Sequence, residues 1–213
     1  YRFHDHEKLA HYANAATDVE YKFPFGFKEV EGVHSRTDFD LSQHQKYCGK
    51  KIQYFDTERN ESYVPYVIET SIGVDRMFLQ VMSAAYCEED LSKDGKKDSR
   101  VVLRFPAALA PVKLAVMPLV KKDGLPEKAL QIIDMVKFDY NCQYDEKDSI
   151  GKRYRRQDAI GTPFCVTVDY QTLEDNTVTI RHRDSMEQER ISIDAIPALL
   201  KEKADIGTLL KNL

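Results

Sequence analysis

The stretch VIETSIGVDRMFLQ at residues 67–80 puts a carboxylate, a hydroxyl, a glycine and an arginine within reach of one another. An apolar strand ends in Glu69 and Ser71, Gly73 turns the chain, and Arg76 falls in the first turn of an apolar-striped helix. Glu69 is suited to an ammonium group, which it binds through a charge-assisted hydrogen bond. Ser71 lies two residues on and shares the face of Glu69 if the strand runs that far. Gly73 lets the backbone pass close to a ligand, and the helix start offers unpaired N–H groups to an anion. Arg76 adds a guanidinium fork that matches phosphate oxygens. An amine held beside phosphates is what amino-acid activation requires. On spacing alone, an ordinary strand–turn–helix with a surface Arg76 and a capping Asp75 fits as well and is the commoner arrangement.

Residues 23–40 alternate acidic and apolar side chains. Glu29 and Glu31 are expected on one strand face, where they would hold a divalent cation together with phosphate oxygens; magnesium favours such sparse carboxylate ligation. A solvated acidic edge explains the charge pattern equally, and Arg36, Asp38 and Asp40 read as a turn and an ion pair. His4, His6, His11, His34 and His44 fit no zinc spacing, and Cys48, Cys87, Cys142 and Cys165 form no Cys-x-x-Cys pair. They read as free structural cysteines in a reduced cytoplasmic setting, with no zinc expected.

The chain has 213 residues, enough for one large domain or two ordinary ones, and its 42% hydrophobic and 31% charged residues fit a packed core. A net charge of -4 argues against nucleic-acid binding by bulk positive charge, and leaves room for a local basic face. No apolar run approaches the roughly 20 residues that span a bilayer, and the opening residues carry no signal-peptide pattern. Tyr1 is not an initiator residue, so the sequence reads as a fragment or a trimmed chain.

Spacing predicts a helix over 6–16, a broken strand over 19–27, a short strand over 29–33, strands over 51–55 and 63–69, and a helix over 74–86. That succession suggests an antiparallel sheet with a helix behind it. The charged run 88–100 reads as a mobile surface loop, and 101–111, with Pro106 and Pro111, as a stiff connector. Beyond it the expected order is β-α-β-α-β-β-β-α: strands over 114–120, 140–144, 164–170, 177–183 and 190–193, with helices over 127–137, 149–160 and 194–200. This implies a mixed sheet of about five strands with helices on its faces. Lys152, Arg153, Arg155 and Arg156 cluster on one of these helices, and Arg181 and Arg183 sit on a strand. All six are candidate RNA contacts, with Tyr154 and Phe164 as stacking platforms; a charged helix face is also often only solvated, and Tyr154 at helical spacing is more often core.

The 67–80 stretch resembles the third signature motif of class II aminoacyl-tRNA synthetases. Together with EKLAHYANAATDVEY (7–21), FPFGFKEVEGVHSRTDFDL (23–41), YVPYVIETSIGVDRMF (63–78) and APVKLAVMPLV (110–120), it closely resembles the glycyl-tRNA synthetases of the homodimeric type. The resemblance covers essentially the whole chain. It implies the C-terminal part of a class II antiparallel-sheet catalytic domain over 1–104, and an anticodon-binding domain with a mixed five-stranded sheet over 105–213, an α+β chain. It further implies that Glu69, Thr70, Ser71, Ile72 and Gly73 form a glycine pocket that excludes any β-carbon by sterics. Glu29, Val30, Gly73, Val74, Asp75 and Arg76 would meet ATP, with Arg76 at the γ-phosphate and Glu29 and Arg76 as the catalytic pair. Magnesium would arrive with ATP, through Glu29.

The partners implied are glycine, ATP, glycine tRNA and a second copy of the full-length enzyme, in the cytoplasm and away from membranes. The two earlier class II motifs are missing, so the chain alone is expected to be inactive in glycine activation while still binding the anticodon. A non-catalytic class II relative acting as an accessory or RNA-binding protein is the alternative. Glu69, Ser71 and Arg76 together speak against it, since a pure binder has no need of them.

Overall fold

The computed structural model describes residues 1–92 and 94–211, which divide into two compact units, Tyr1–Ser83 and Ala84–Leu213. Among the described residues no helix is long and apolar enough to cross a membrane.

The first unit runs β1 (Arg2–Asp5), β2 (Ala15–Phe23), β3 (Gly26–Ser35), α1 (Phe39–Cys48), β4 (Tyr54–Asp56), β5 (Glu61–Tyr63), β6 (Ile68–Ile72) and the start of α2 (Val74–Ala85). Its main sheet is antiparallel in the order β1-β2-β3-β6, and β4 and β5 form a separate hairpin. The helix expected over 6–16 does not form. Cross-strand pairing claims both ends of that segment, with Asp5 opposite Thr17 and the His6 N–H donating to the Ala16 carbonyl. Leu9 stays well exposed, so the helical spacing has no core to face. The broken strand over 19–27 is instead a tight hairpin: Pro24 and Phe25 turn the chain and Gly26 takes φ +105°, a conformation open to glycine. Helix α1 buries no residue, so no apolar stripe announces it. Its signals are at its ends, with Asp40 in the first turn, Lys46 in the last and Gly49 at φ +68° beyond it.

The second unit holds the rest of α2, then β7 (Tyr86–Asp90), β8 (Ser99–Leu103), β9 (Leu114–Pro118), α3 (Leu125–Val136), β10 (Cys142–Tyr144), α4 (Ile150–Ile160), β11 (Phe164–Val168), α5 (Tyr170–Asp175), β12 (Thr177–His182), β13 (Gln188–Ser192), α6 (Ile196–Lys203) and α7 (Ile206–Lys211). The mixed five-stranded sheet forms in the order β10-β9-β11-β12-β13. The first three strands are parallel, and β12 and β13 are antiparallel to their neighbours. Strand β9 is buried throughout because both its faces are covered. Leu114 and Val116 pack with Ile132, Val166, Ile180 and Ile196 on the α3–α6 side, while Ala115, Met117 and Cys165 meet Ile150 and Tyr154 of α4 on the other. The short helices α5 and α7 were not foreseen. Asp169 caps α5 through a reciprocal capping box with Thr172.

The expected loop over 88–100 is largely a hairpin: β7 and β8 pair from Tyr86 opposite Leu103 to Asp90 opposite Ser99. Strand β8 therefore also takes the first residues of the expected connector. Lys93, inside the same stretch, lies outside the described residues. The charged composition hides an inward row, in which Arg100 and Val102 are both buried. Arg100 donates to Glu89 at 2.6 Å and to Asp158 of α4 at 3.1 Å. Asp158 is fully buried and also takes a two-pronged bond from Arg181, at 2.8 and 3.0 Å. Next to it, the Gly161 position at the end of α4 has φ +81°, and a Cβ there would lie 2.5 Å from the Phe105 ring.

Asp158→Asn leaves the buried Arg181 guanidinium without its counter-charge and takes one of two carboxylate partners from buried Arg100. It is expected to destabilise the second unit by about 3–5 kcal/mol, measured by urea unfolding with hydrogen exchange read at β9 and β11. Bonds from Arg100 and Arg104 hold the Glu89 carboxyl below the usual range, and a bond from Arg183 does the same for Asp184. Such carboxylates add stability above their ordinary value and lose it as pH falls through the lower folded one. The same unfolding free energy should hold steady from neutral pH down to roughly pH 5 and drop below about pH 4.

Candidate functional site

The geometry of the first unit turns on one residue of β3. Val19 pairs with Glu31 and Glu20 with Glu29, so Val30 is an extra residue with no partner on β2, a β-bulge. Neighbours on β2 point to opposite faces, so their partners Glu29 and Glu31 do too. The expectation that Glu29 and Glu31 share a face is therefore corrected. Carried across the register, Glu31, Val33, Thr70 and Ile72 fall on one face of the sheet. Glu29, Gly32, His34, Glu69 and Ser71 fall on the other, with Asp18 and Glu20. The bulge thus delivers Glu29 to the side that already bears Glu69 and Ser71.

Arg76 reaches this side from the first turn of α2, donating to the Glu29 carbonyl at 2.9 Å and the Glu29 carboxylate at 3.1 Å. The Gly73 carbonyl accepts from the Met77 N–H at 2.8 Å and so opens the helix. Ser71 stands opposite Gly32, where an added Cβ would lie 3.4 Å from the His34 ring and 3.6 Å from Asp18. Glu69 stands opposite His34 and accepts from Arg36 at 2.5 Å. Of the five residues expected around an amino acid, the register brings together the side chains of Glu69 and Ser71 and turns those of Thr70 and Ile72 to the far face. Gly73, Val74 and Asp75 are exposed at the helix start, and Val30 is buried at the bulge.

Flanking polar side chains are drawn together around this face. Arg2 pairs with Glu20 and lies 4.5 Å over the Phe27 ring. His6 sits 2.8 Å from Asp18, and His4 stacks on His6. The bond from Arg2 lowers the Glu20 carboxyl, and the bond from Arg36 lowers Asp40. Among the described residues no three His, Cys, Asp or Glu side chains are placed to hold a metal ion. Of the two expected cation ligands, Glu29 lies on the Glu69 face and Glu31 on the opposite one. Burial pushes the Cys142 thiol up to about 11 and the Cys165 thiol up to about 12, away from the thiolate form.

The candidate RNA contacts of the second unit separate by burial. Arg153 is spent on the Pro118 and Asp148 carbonyls, Arg181 on Asp158, and Arg183 on the Gly161 and Phe105 carbonyls; all three are buried. Lys152 is exposed, Arg155 is partly exposed and bonded to Asp98 at 2.9 Å, and Arg156 is tied to Asp145 and Asp148. Tyr154 is half-buried, with its hydroxyl on Thr167 at 2.6 Å and Arg181 4.9 Å over its ring. Phe164 belongs to the core. A cleft of about 500 Å³ opens beside the start of α4, where Lys152, Tyr154, Arg155, Arg181 and Gln188 meet.

Residues 113–203 match the family described as the anticodon binding domain. The chain is 53% identical to the glycine–tRNA ligase of Chlorobaculum tepidum over 201 residues, 94% of this chain and 42% of that protein. It is 55% identical to the enzyme of Treponema denticola over 88% of this chain and 42% of the relative. Against that of Staphylococcus aureus it is 52% identical, over 95% and 43%. The chain thus spans about two fifths of the length of these curated relatives. Among solved structures, a Giardia lamblia prolyl-tRNA synthetase in complex with prolyl-adenylate matches with a TM-score of 0.59 at 20% identity. That match covers 87% of this chain and 36% of the other, and it shows a shared fold. More than half of the matched residues are identical to those of the ligases along nearly the whole chain, which makes this chain a homologue of the corresponding two fifths of the glycine–tRNA ligases.

Proposed function

We propose that this chain supplies the glycine and ATP-phosphate contacts of a glycine–tRNA ligase, together with the domain that holds the tRNA anticodon. The observation that carries the reading is the bulge-set face on which Glu29, Glu69 and Ser71 share a side with Arg76 beside them. Residues 1–104 would be the end of the catalytic domain and 105–213 the anticodon-binding domain. The Glu69 carboxylate accepts the glycine ammonium and Ser71 fixes its orientation. A steric limit to the smallest amino acid is part of this reading, and substrate selection of that kind works by excluding larger side chains. Arg76, now on Glu29, is placed to turn to the ATP phosphates, and magnesium carried by ATP neutralises their charge, with Glu29 beside it.

In the reaction the glycine carboxylate attacks the α-phosphorus, pyrophosphate leaves, and the glycyl group passes to the tRNA 3′ end. These residues contribute position and charge rather than a covalent bond. Lys152 and Arg155, at the open cleft, are the side chains best placed to meet RNA phosphates, and Arg156 is held further back by its aspartates. Arg153, Arg181 and Arg183 would act by shaping the cleft. A homodimeric, cytoplasmic full-length enzyme is part of the same reading.

Glycine-dependent ATP–pyrophosphate exchange by a full-length enzyme carrying this segment tests the catalytic part. Glu69→Gln should raise the KM for glycine about 10- to 100-fold, the worth of a hydrogen bond to a charged group. Arg76→Ala should cut kcat roughly 100-fold or more. Unchanged values in both variants would remove the assignment. For the second unit, filter binding of glycine tRNA at two salt concentrations should show Lys152→Gln and Arg155→Gln each lowering affinity and reducing the salt slope by about one.

A further inference from the structure

The Glu69 carboxylate does not stand alone. Arg36, at the end of β3, holds it with one nitrogen at 2.5 Å and turns its other two on Asp40, at 2.7 and 3.2 Å. The guanidinium lies 4.1 Å over the Tyr12 ring. Its backbone is pinned as well: the Arg36 N–H donates to the Val67 carbonyl at 2.9 Å, and the Val67 N–H to the Thr37 carbonyl at 2.9 Å. The Thr37 hydroxyl bonds the Tyr12 carbonyl, at a residue with φ +55°. Four segments therefore fix one guanidinium: β3, the start of α1, the strand leading to Glu69, and the loop carrying Tyr12.

We propose that Arg36 and Asp40 form a charge-balanced brace that aims the Glu69 carboxylate at the substrate ammonium, making both of them positioning residues for amine binding. The proposal rests on the reading of Glu69 as the amine acceptor. The charge count gives the reason for two acids on one base. A carboxylate paired only with an arginine is already neutralised and attracts an ammonium weakly. Here Asp40 takes the two-pronged pairing that satisfies Arg36, so the triad keeps one net negative charge and Glu69 carries it. Among the described residues, Arg36 bonds Glu69 through Oε2 only, and Oε1 takes no hydrogen bond. One oxygen is held for aim and the other is left for the substrate. Consistent with this, the bond from Arg36 draws the Asp40 carboxyl below its usual range.

The test is steady-state ATP–pyrophosphate exchange in the full-length enzyme with Asp40→Asn, Arg36→Lys, Glu69→Gln and the double variant Asp40→Asn/Glu69→Gln. Asp40→Asn makes Glu69 the sole counter-ion of Arg36, and should raise the KM for glycine about 10-fold while the KM for ATP and kcat stay within about threefold. Arg36→Lys keeps the charge and loses the fork, and should act in the same direction. Because the brace works through Glu69, the double variant should match Glu69→Gln alone; a merely structural role would add its effect in either background. If Arg36→Lys does not fold, Asp40→Asn at the surface of α1 carries the comparison. A glycine KM unmoved by Asp40→Asn but raised by Glu69→Gln would overturn the brace and leave the amine site standing. A glycine KM unmoved by Glu69→Gln would take down the site and the brace together.

Discussion

Strand parity in the first unit is set at Val30, where β3 carries one residue more than its partner β2. Side chains alternate along a strand, so a single insertion exchanges inside for outside for everything beyond it. Without it, Glu29 would lie with Glu31, Thr70 and Ile72, away from Glu69 and Ser71. With it, Glu29 shares a sheet face with Glu69 and Ser71 of β6 and is bonded by a guanidinium from α2. Burial of Val30 anchors the insertion, because moving the bulge along the strand would expose an apolar side chain. The chemistry proposed for this face depends on that register before it depends on any individual side chain.

The second unit is organised by charge pairing in its interior. Asp158 is closed from solvent and receives Arg100 from β8 and Arg181 from β12, while Arg183 fills carbonyls on the loops beside them. Three arginines are thus consumed in holding a hairpin, a helix and a strand together. Burial of this kind is tolerable only because each donor has an acceptor. Of the six candidate RNA contacts, Lys152 and Arg155 are the ones that line the open cleft beside α4 without being buried.

Much of the second unit was legible because its strands and helices carry strong periodic signals: Leu114–Pro118 is apolar on both faces, and α3 places Ala129, Ile132 and Val136 on one stripe. The order of strands and helices followed from that. The basic cluster was legible as composition but not as surface, since a run of Lys152, Arg153, Arg155 and Arg156 does not say which members turn inward. In the first unit, local pattern misled where pairing at a distance decided the outcome. The 6–16 segment has helical spacing, yet β1 and β2 claim its ends. The bulge has no signature in sequence, because it exists only in the count of one strand against another. Glu69, Ser71 and Arg76 stand out from their order along the chain. Arg36 and Asp40 were seen only as an ion pair, and their contact with Glu69 spans 33 positions.

The inward turn of Arg100 bears on how such chains exchange parts. The hairpin of β7 and β8 lies before the residues that match the anticodon binding family, yet it supplies Arg100, one of the two buried arginines bonded to Asp158. A graft that moved only residues 105–211 onto another protein would carry the aspartate and leave one of its arginines behind. The compact unit of this chain is therefore longer than the stretch that matches the family, and it begins in α2.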